Sequence, residues 1–177
     1  MTDANPLLAN DGLAQYSKIL PSHITPALDK VLADNRLALK NLKKQGAGGS
    51  SWETFVIELD ELNAKLESVW APVSHLNAVA NSPEIRKAYE ESIVKLSEYS
   101  SEMGQSKWIF DGFTALSAHE TFNSFTAARR SIVERSLRNF RLSGVHLTEE
   151  GKQRYRNLTQ SLSELSTQFS NNVMDAT

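Results

Sequence analysis

The strongest pattern along the chain is an apolar position every three or four residues between 55 and 80. Phe55, Leu59, Leu62, Leu66, Val69, Val73, Leu76 and Ala80 hold a 3.5-residue period for more than three heptads. That spacing predicts a long helix with one buried stripe. Ser50-Ser51-Trp52-Glu53 just before it reads as a capping box. Pro72 inside the run removes a backbone donor and predicts a kink. It also argues against a straight self-associating coiled coil, as does the lack of regular flanking charge pairs.

The same periodicity marks four further helices. Thr25-Pro26 is a helix start, followed by Leu28, Val31, Leu32, Leu39 and Leu42, with Lys40, Lys43 and Lys44 near the C-terminal end and a stop at Gln45-Gly46-Ala47-Gly48-Gly49. Asn81-Ser82-Pro83-Glu84 opens a third helix carrying Ile85, Tyr89, Leu96, Tyr99 and Met103, and Gly104 marks a break before Trp108 to Leu116. A fourth is predicted from about Thr121 to Leu142, ended by Ser143-Gly144. Thr148 caps a fifth, striped by Tyr155, Leu158, Leu162, Leu165 and Phe169 and continued by Val173. No segment alternates with period two between turn signals, so no β-sheet is expected. The predicted fold is all-α: long helices, near-antiparallel, in an up-and-down bundle or array. Residues 1–23 form an extended N-terminal segment packed over a helical body of residues 24–177. The absence of a stop signal after Phe169 suggests a chain cut within a larger protein.

Composition changes this picture little. The chain has 177 residues, 40% hydrophobic and 23% charged, with a net charge of −2. This suits one globular domain and gives no global attraction to nucleic acid. No apolar run approaches a membrane span, and the N-terminus has no basic start or apolar signal core, so a cytoplasmic location is expected. Zero cysteines exclude disulfides, thiol chemistry and cysteine-ligated zinc.

Candidate chemistry is sparse. A zinc peptidase helix presents His-Glu-x-x-His, with both imidazoles facing one metal and the carboxylate activating the bound water. Here His119-Glu120-Thr121-Phe122-Asn123 places Asn at the second ligand position. The other histidines, His23, His75 and His146, are scattered. His75 or Ser74 could satisfy the carbonyl freed by Pro72. Glu58, Asp60 and Glu61, and Glu90 and Glu91, lie off the apolar stripes and read as solvated helix faces. Arg129, Arg130, Arg135, Arg138 and Arg141 form the one basic run. Of these, Arg130, Arg138 and Arg141 share a face with Glu134, which can pair with two of them. Gly46-Ala47-Gly48-Gly49-Ser50 lacks the Lys-Ser/Thr of a phosphate loop and reads as a linker. No catalytic or metal-ligating residue is assigned in this chain, and substrate contacts are unknown.

Several blocks resemble the start of the thimet oligopeptidase family of zinc metallopeptidases. They are Asn5-Pro6-Leu7-Leu8, Ser17 to Ile24, Ala71-Pro72-Val73-Ser74-His75-Leu76 through Arg86, Leu137 to Gly144, Leu162-Ser163-Glu164-Leu165, and Phe169 to Val173. The resemblance implies a helix-rich, two-lobed parent that cleaves short peptides in a deep channel. Its zinc would be bound by a motif downstream of this chain. This part would then be the N-terminal helical lobe, one wall of the channel, catalytically silent alone. Its partners would be the C-terminal catalytic portion of the same polypeptide and short peptide substrates, not nucleic acid or membrane, and uncovered apolar surface would favour self-association. The competing reading is a free-standing helical module that binds a partner helix or peptide.

Overall fold

The computed structural model describes residues 5–9, 12–44 and 51–176. Six helices carry the fold: α1 (Pro21–Lys44), α2 (Ile57–Val79), α3 (Pro83–Gly104), α4 (Lys107–Ala118), α5 (Ala127–Leu142) and α6 (Glu149–Ala176). Short 3-10 turns occupy Pro6–Leu8, Tyr16–Lys18 and Glu120–Ser124, and there is no strand among the described residues. The fold is all-α, as the periodicity predicts.

Helix α1 begins at Pro21, four residues ahead of the expected start at Thr25. Pro21 takes the first helical position, where a missing N–H costs nothing, and His23 Nδ1 accepts the Leu20 N–H at 3.1 Å. Pro26 is therefore inside the helix. The predicted stop at Gln45–Gly49 lies outside the described residues, and so does Ser50.

The cap before α2 is one residue later than expected. Ser51 Oγ accepts the Thr54 N–H at 3.1 Å, and Thr54 Oγ1 accepts the Ser51 N–H at 3.3 Å. The box therefore runs Ser51 to Thr54 and caps a π-helical turn at Trp52–Val56 that leads into α2. The displaced Glu53 carboxylate lies 3.5 Å from Arg129. The heptad stripe is buried as predicted at Phe55, just before α2, and at Leu62, Leu66, Val69 and Val73 along it, while Leu59 and Leu76 are half-buried and Ala80, past the helix end, is exposed. The N-terminal segment lies across Pro72, with Leu7 and Ile19 buried. Asn5 Nδ2 ties it to α1 by donating to the His23 carbonyl at 2.8 Å.

Helix α3 starts as its sequence dictates, with Ser82 Oγ accepting the Ile85 N–H and Pro83 at the first turn. It is the central helix, packed on α1 and α2 and on α6. Four of its five buried positions are small, Ala88, Ser92, Ser97 and Ser101, the fifth being Tyr99. A helix covered from more than one side needs small residues at its contacts, because interaxial distance follows side-chain size. The Lys95–Asp29 and Arg36–Glu102 ion pairs advance together along α1 and α3, so these two helices run parallel and in direct contact. Asn35, 1% exposed, ties α1 to α2, its Nδ2 donating to the Leu62 carbonyl at 2.9 Å.

The single helix expected from Thr121 to Leu142 is two elements. The chain forms a 3-10 turn at Glu120–Ser124, extends through Phe125 and Thr126, and restarts as α5 with Thr126 Oγ1 accepting the Arg129 N–H at 3.3 Å. The break turns Phe125 onto Trp52, ring centroids 5.8 Å apart, with Phe122 against Phe125. Helices α4 and α5 pair through Phe110, Phe113 and Phe140. Phe55 enters this aromatic cluster against Trp108 and Phe113. Gly112 admits it, since a Cβ there would stand 2.4 Å from Phe55 Cζ.

Candidate functional site

No group of three or more His, Asp or Glu side chains close enough to hold a metal occurs among the described residues. Each histidine instead serves local structure. His119 caps the Glu120–Ser124 turn, its Nδ1 2.8 Å from the Thr121 hydroxyl. The His75 ring lies 5.2 Å from that of Tyr16, so it holds the N-terminal segment to α2. His146 stands edge-on to Phe110.

The arginine run is divided among different tasks. Arg129 lies over Trp52 at 4.7 Å and over Phe125 at 5.9 Å. Arg130 Nη1 donates to the Phe125 carbonyl at 2.6 Å, holding the break before α5. Arg141 lies over Phe110. The ion pairs expected around Glu134 are absent among the described residues, because the aromatic cluster and the freed backbone carbonyls draw the arginines away.

What distinguishes the molecule is the way α6 sits on α3. The two helices are antiparallel, joined by a ladder of polar contacts along their length. Arg86 binds Asp175 through both nitrogens, at 2.8 and 2.7 Å. Asn171 Nδ2 donates to Glu90 Oε1 at 2.7 Å, and Arg156 Nη1 donates to Gln105 Oε1 at 2.8 Å. The Arg86 guanidinium holds the Asp175 carboxyl below its ordinary range, and the same contact raises Arg86. Glu84 is lowered by the backbone N–H at the start of α3 and by Ser82. A groove of about 530 Å³ runs along the seam, edged by Glu90, Glu91 and Glu164 and floored by Ile93 and Val94. Asn171, 8% exposed, lines it, and its Oδ1 is buried without a hydrogen-bond partner. Glu90 and Glu91 are exposed, as their sequence positions suggest, and Glu90 in addition accepts the Asn171 amide across the helix–helix seam. The missed signal was the polar run Thr159, Ser163, Thr167 and Asn171 at helical spacing, which marks the contacting side of α6.

A family model described as the neurolysin/thimet oligopeptidase N-terminal domain matches residues 28–152. The chain belongs to this family. It is 45% identical over 177 residues to oligopeptidase A of Haemophilus influenzae, covering all of this chain and 26% of that protein. Oligopeptidase A of Salmonella typhimurium is 42% identical over 173 residues, 98% of this chain and 25% of the relative. Probable cytosolic oligopeptidase A of Arabidopsis thaliana is 33% identical over 174 residues, 98% of this chain and 24% of the relative. The chain spans about a quarter of the length of the curated relatives it matches.

For a member of the thimet oligopeptidase family, the described part offers helix packing and surfaces. The family match ends at residue 152, four residues into the 28-residue helix α6. No helix among the described residues is long and apolar enough to cross a membrane.

Proposed function

We propose that this chain is the helical N-terminal lobe of a cytoplasmic zinc endopeptidase that cleaves short peptides. It forms one wall of the substrate channel. The observation that carries this reading is the match to the family's N-terminal domain over residues 28–152, within a chain about a quarter as long as its relatives. Zinc does not fit the residues present: His119 and Asn123 make an incomplete ligand pair, and no second imidazole joins them. The metal and its activated water belong to the remaining polypeptide, and this lobe contributes shape. A wall of packed helices restricts entry to extended, short chains and excludes folded ones.

The test is hydrolysis of a quenched short peptide by the 1–177 chain and by the longer polypeptide that continues it. The longer polypeptide should turn over the peptide, lose activity to a chelator and regain it with zinc, and leave a folded protein uncut. The 1–177 chain should show no turnover. Zinc-dependent cleavage by the short chain, or none by the long one, refutes the reading.

A further inference from the structure

The groove in the α3–α6 seam gathers negative charge that nothing beside it balances. Glu90, Glu91 and Glu164 edge it, and no lysine or arginine among the described residues lines it. None of the three is in an ion pair among the described residues. Arg86, one turn before Glu90, is committed to Asp175 through both nitrogens. Beside Glu90, Asn171 is 8% exposed. Its Nδ2 donates to Glu90, and its Oδ1 has no partner. A buried acceptor without a donor is unfavourable, so this end of the groove calls for an N–H group. A cleft with apolar walls and one sign of charge at its edge also concentrates counter-charge.

The carboxylates are too dispersed for a point charge. No group of three or more His, Asp or Glu side chains among the described residues could hold a metal ion. Glu90 is level with Asn171, and Glu164 stands two turns earlier on the same side of α6, about 10 Å along the axis at 1.5 Å per residue. Between the two ends the floor is Ile93 and Val94, whose side chains offer a hydrated ion no hydrogen bond. We propose that this groove binds an aliphatic polyamine. One ammonium lies between Glu90 and the Asn171 Oδ1, another lies at Glu164, and the methylenes joining them cover Ile93 and Val94. The apolar floor gains from burying the methylenes, and each charged end meets a carboxylate. A single ammonium on a short chain, as in a lysine side chain, meets only one end. Since the ligand touches α3 and α6 together, it clamps α6 in place and raises stability by mass action. The proposal does not depend on peptide hydrolysis.

Spermidine is the probe, titrated at fixed ionic strength into the longer polypeptide that continues this chain and into the 1–177 chain. Calorimetry gives the stoichiometry, and the melting temperature is a second readout. Both proteins should show one saturable site with a dissociation constant below about 1 mM and a melting temperature that rises with ligand. Glu90→Gln with Glu164→Gln should weaken binding at least about tenfold. Glutamine at 90 still offers an oxygen to the Asn171 amide, so the melting temperature without ligand should hold. Glu58→Gln with Glu61→Gln removes the same charge from the exposed side of α2 and should leave binding unchanged. Butylamine, with one ammonium, should bind at least about tenfold more weakly than spermidine. The proposal is overturned by the lack of a saturable site, by equal weakening from the two pairs of substitutions, or by equal competition from magnesium at the same ionic strength. Butylamine binding as tightly as spermidine assigns the groove to a single ammonium and overturns it too. Binding by the 1–177 chain alone shows the groove to be covered in the longer polypeptide, which overturns it as well.

Discussion

Gly112→Ala is the sharpest test of the aromatic cluster, because two effects of opposite sign meet there. Gly112 lies in the interior of α4 with an ordinary helical backbone, where replacing glycine by alanine gains about 1 kcal/mol of helix propensity. Against this, the new Cβ would stand 2.4 Å from Phe55 Cζ and 2.9 Å from two neighbouring ring carbons. Carbon pairs favour about 3.5–4.0 Å, so the ring must retreat by about 1 Å. It has little room, being 3% exposed and wedged against Trp108 and Phe113. Overpacking of this kind costs about 1–3 kcal/mol, and a contact this short falls in the upper half of that range. The net expectation is a loss of about 1–2 kcal/mol, or a melting temperature lower by about 2–8 °C for a chain of this size. Thermal unfolding followed by circular dichroism reads it. In a Phe55→Leu background the ring is gone and the sign should reverse, with Gly112→Ala then neutral or stabilising. A coupling energy below about 0.5 kcal/mol in that double-mutant cycle, or a stabilised single mutant, refutes the reasoning.

Three further outcomes follow from polar contacts. Asn35→Ala removes the buried side chain joining α1 to the Leu62 carbonyl and should destabilise by about 1–3 kcal/mol, measured by urea unfolding with an unchanged m-value. Burial, ahead of a weaker opposing effect from Asn35, raises the Tyr99 phenol above its ordinary 10.0. The folded state therefore holds the proton more tightly, so its share of stability is intact below pH 10.0 and falls as pH rises through the raised value. Tyr99→Phe should flatten that alkaline decline in melting temperature. Asp175 is lowered from 3.8 by Arg86, so its contribution is present above pH 3.8 and is lost as pH falls through the depressed value. Exchange at the C-terminal turn of α6 should quicken there, and Arg86→Gln should erase the pH dependence.

Where one apolar side meets one core, the sequence was enough to place the helix. Five of the eight positions of the stripe from Phe55 to Ala80 are buried as its period demands, and the Ser82-Pro83 start of α3 needs nothing beyond its own first turn. Three features were hidden because a distant element decides them. The cap at Ser51 opens a π-helical turn whose Phe55 packs on Trp108 and Phe113. The break at Phe125 and Thr126 depends on Trp52, more than seventy residues away. The α3–α6 seam was least legible, since α6 turns its polar side inward and the usual rule, apolar side to the core, points the wrong way. The family itself was legible in contiguous blocks such as Ala71 to Arg86, which carry more information than any single pattern.

The strap of residues at the N-terminus bears on how the chain assembles during synthesis. Leu7 leaves the ribosome well before its resting place beside Ser68 and Pro72, which is made about 65 residues later. At roughly 5–20 residues per second, that leaves the leading segment waiting about 3–13 s with nothing to close on. It is a late latch: the strap is fixed only after the α1–α2 hairpin beneath it has formed, and a nascent-chain protease would find it cleavable throughout that interval.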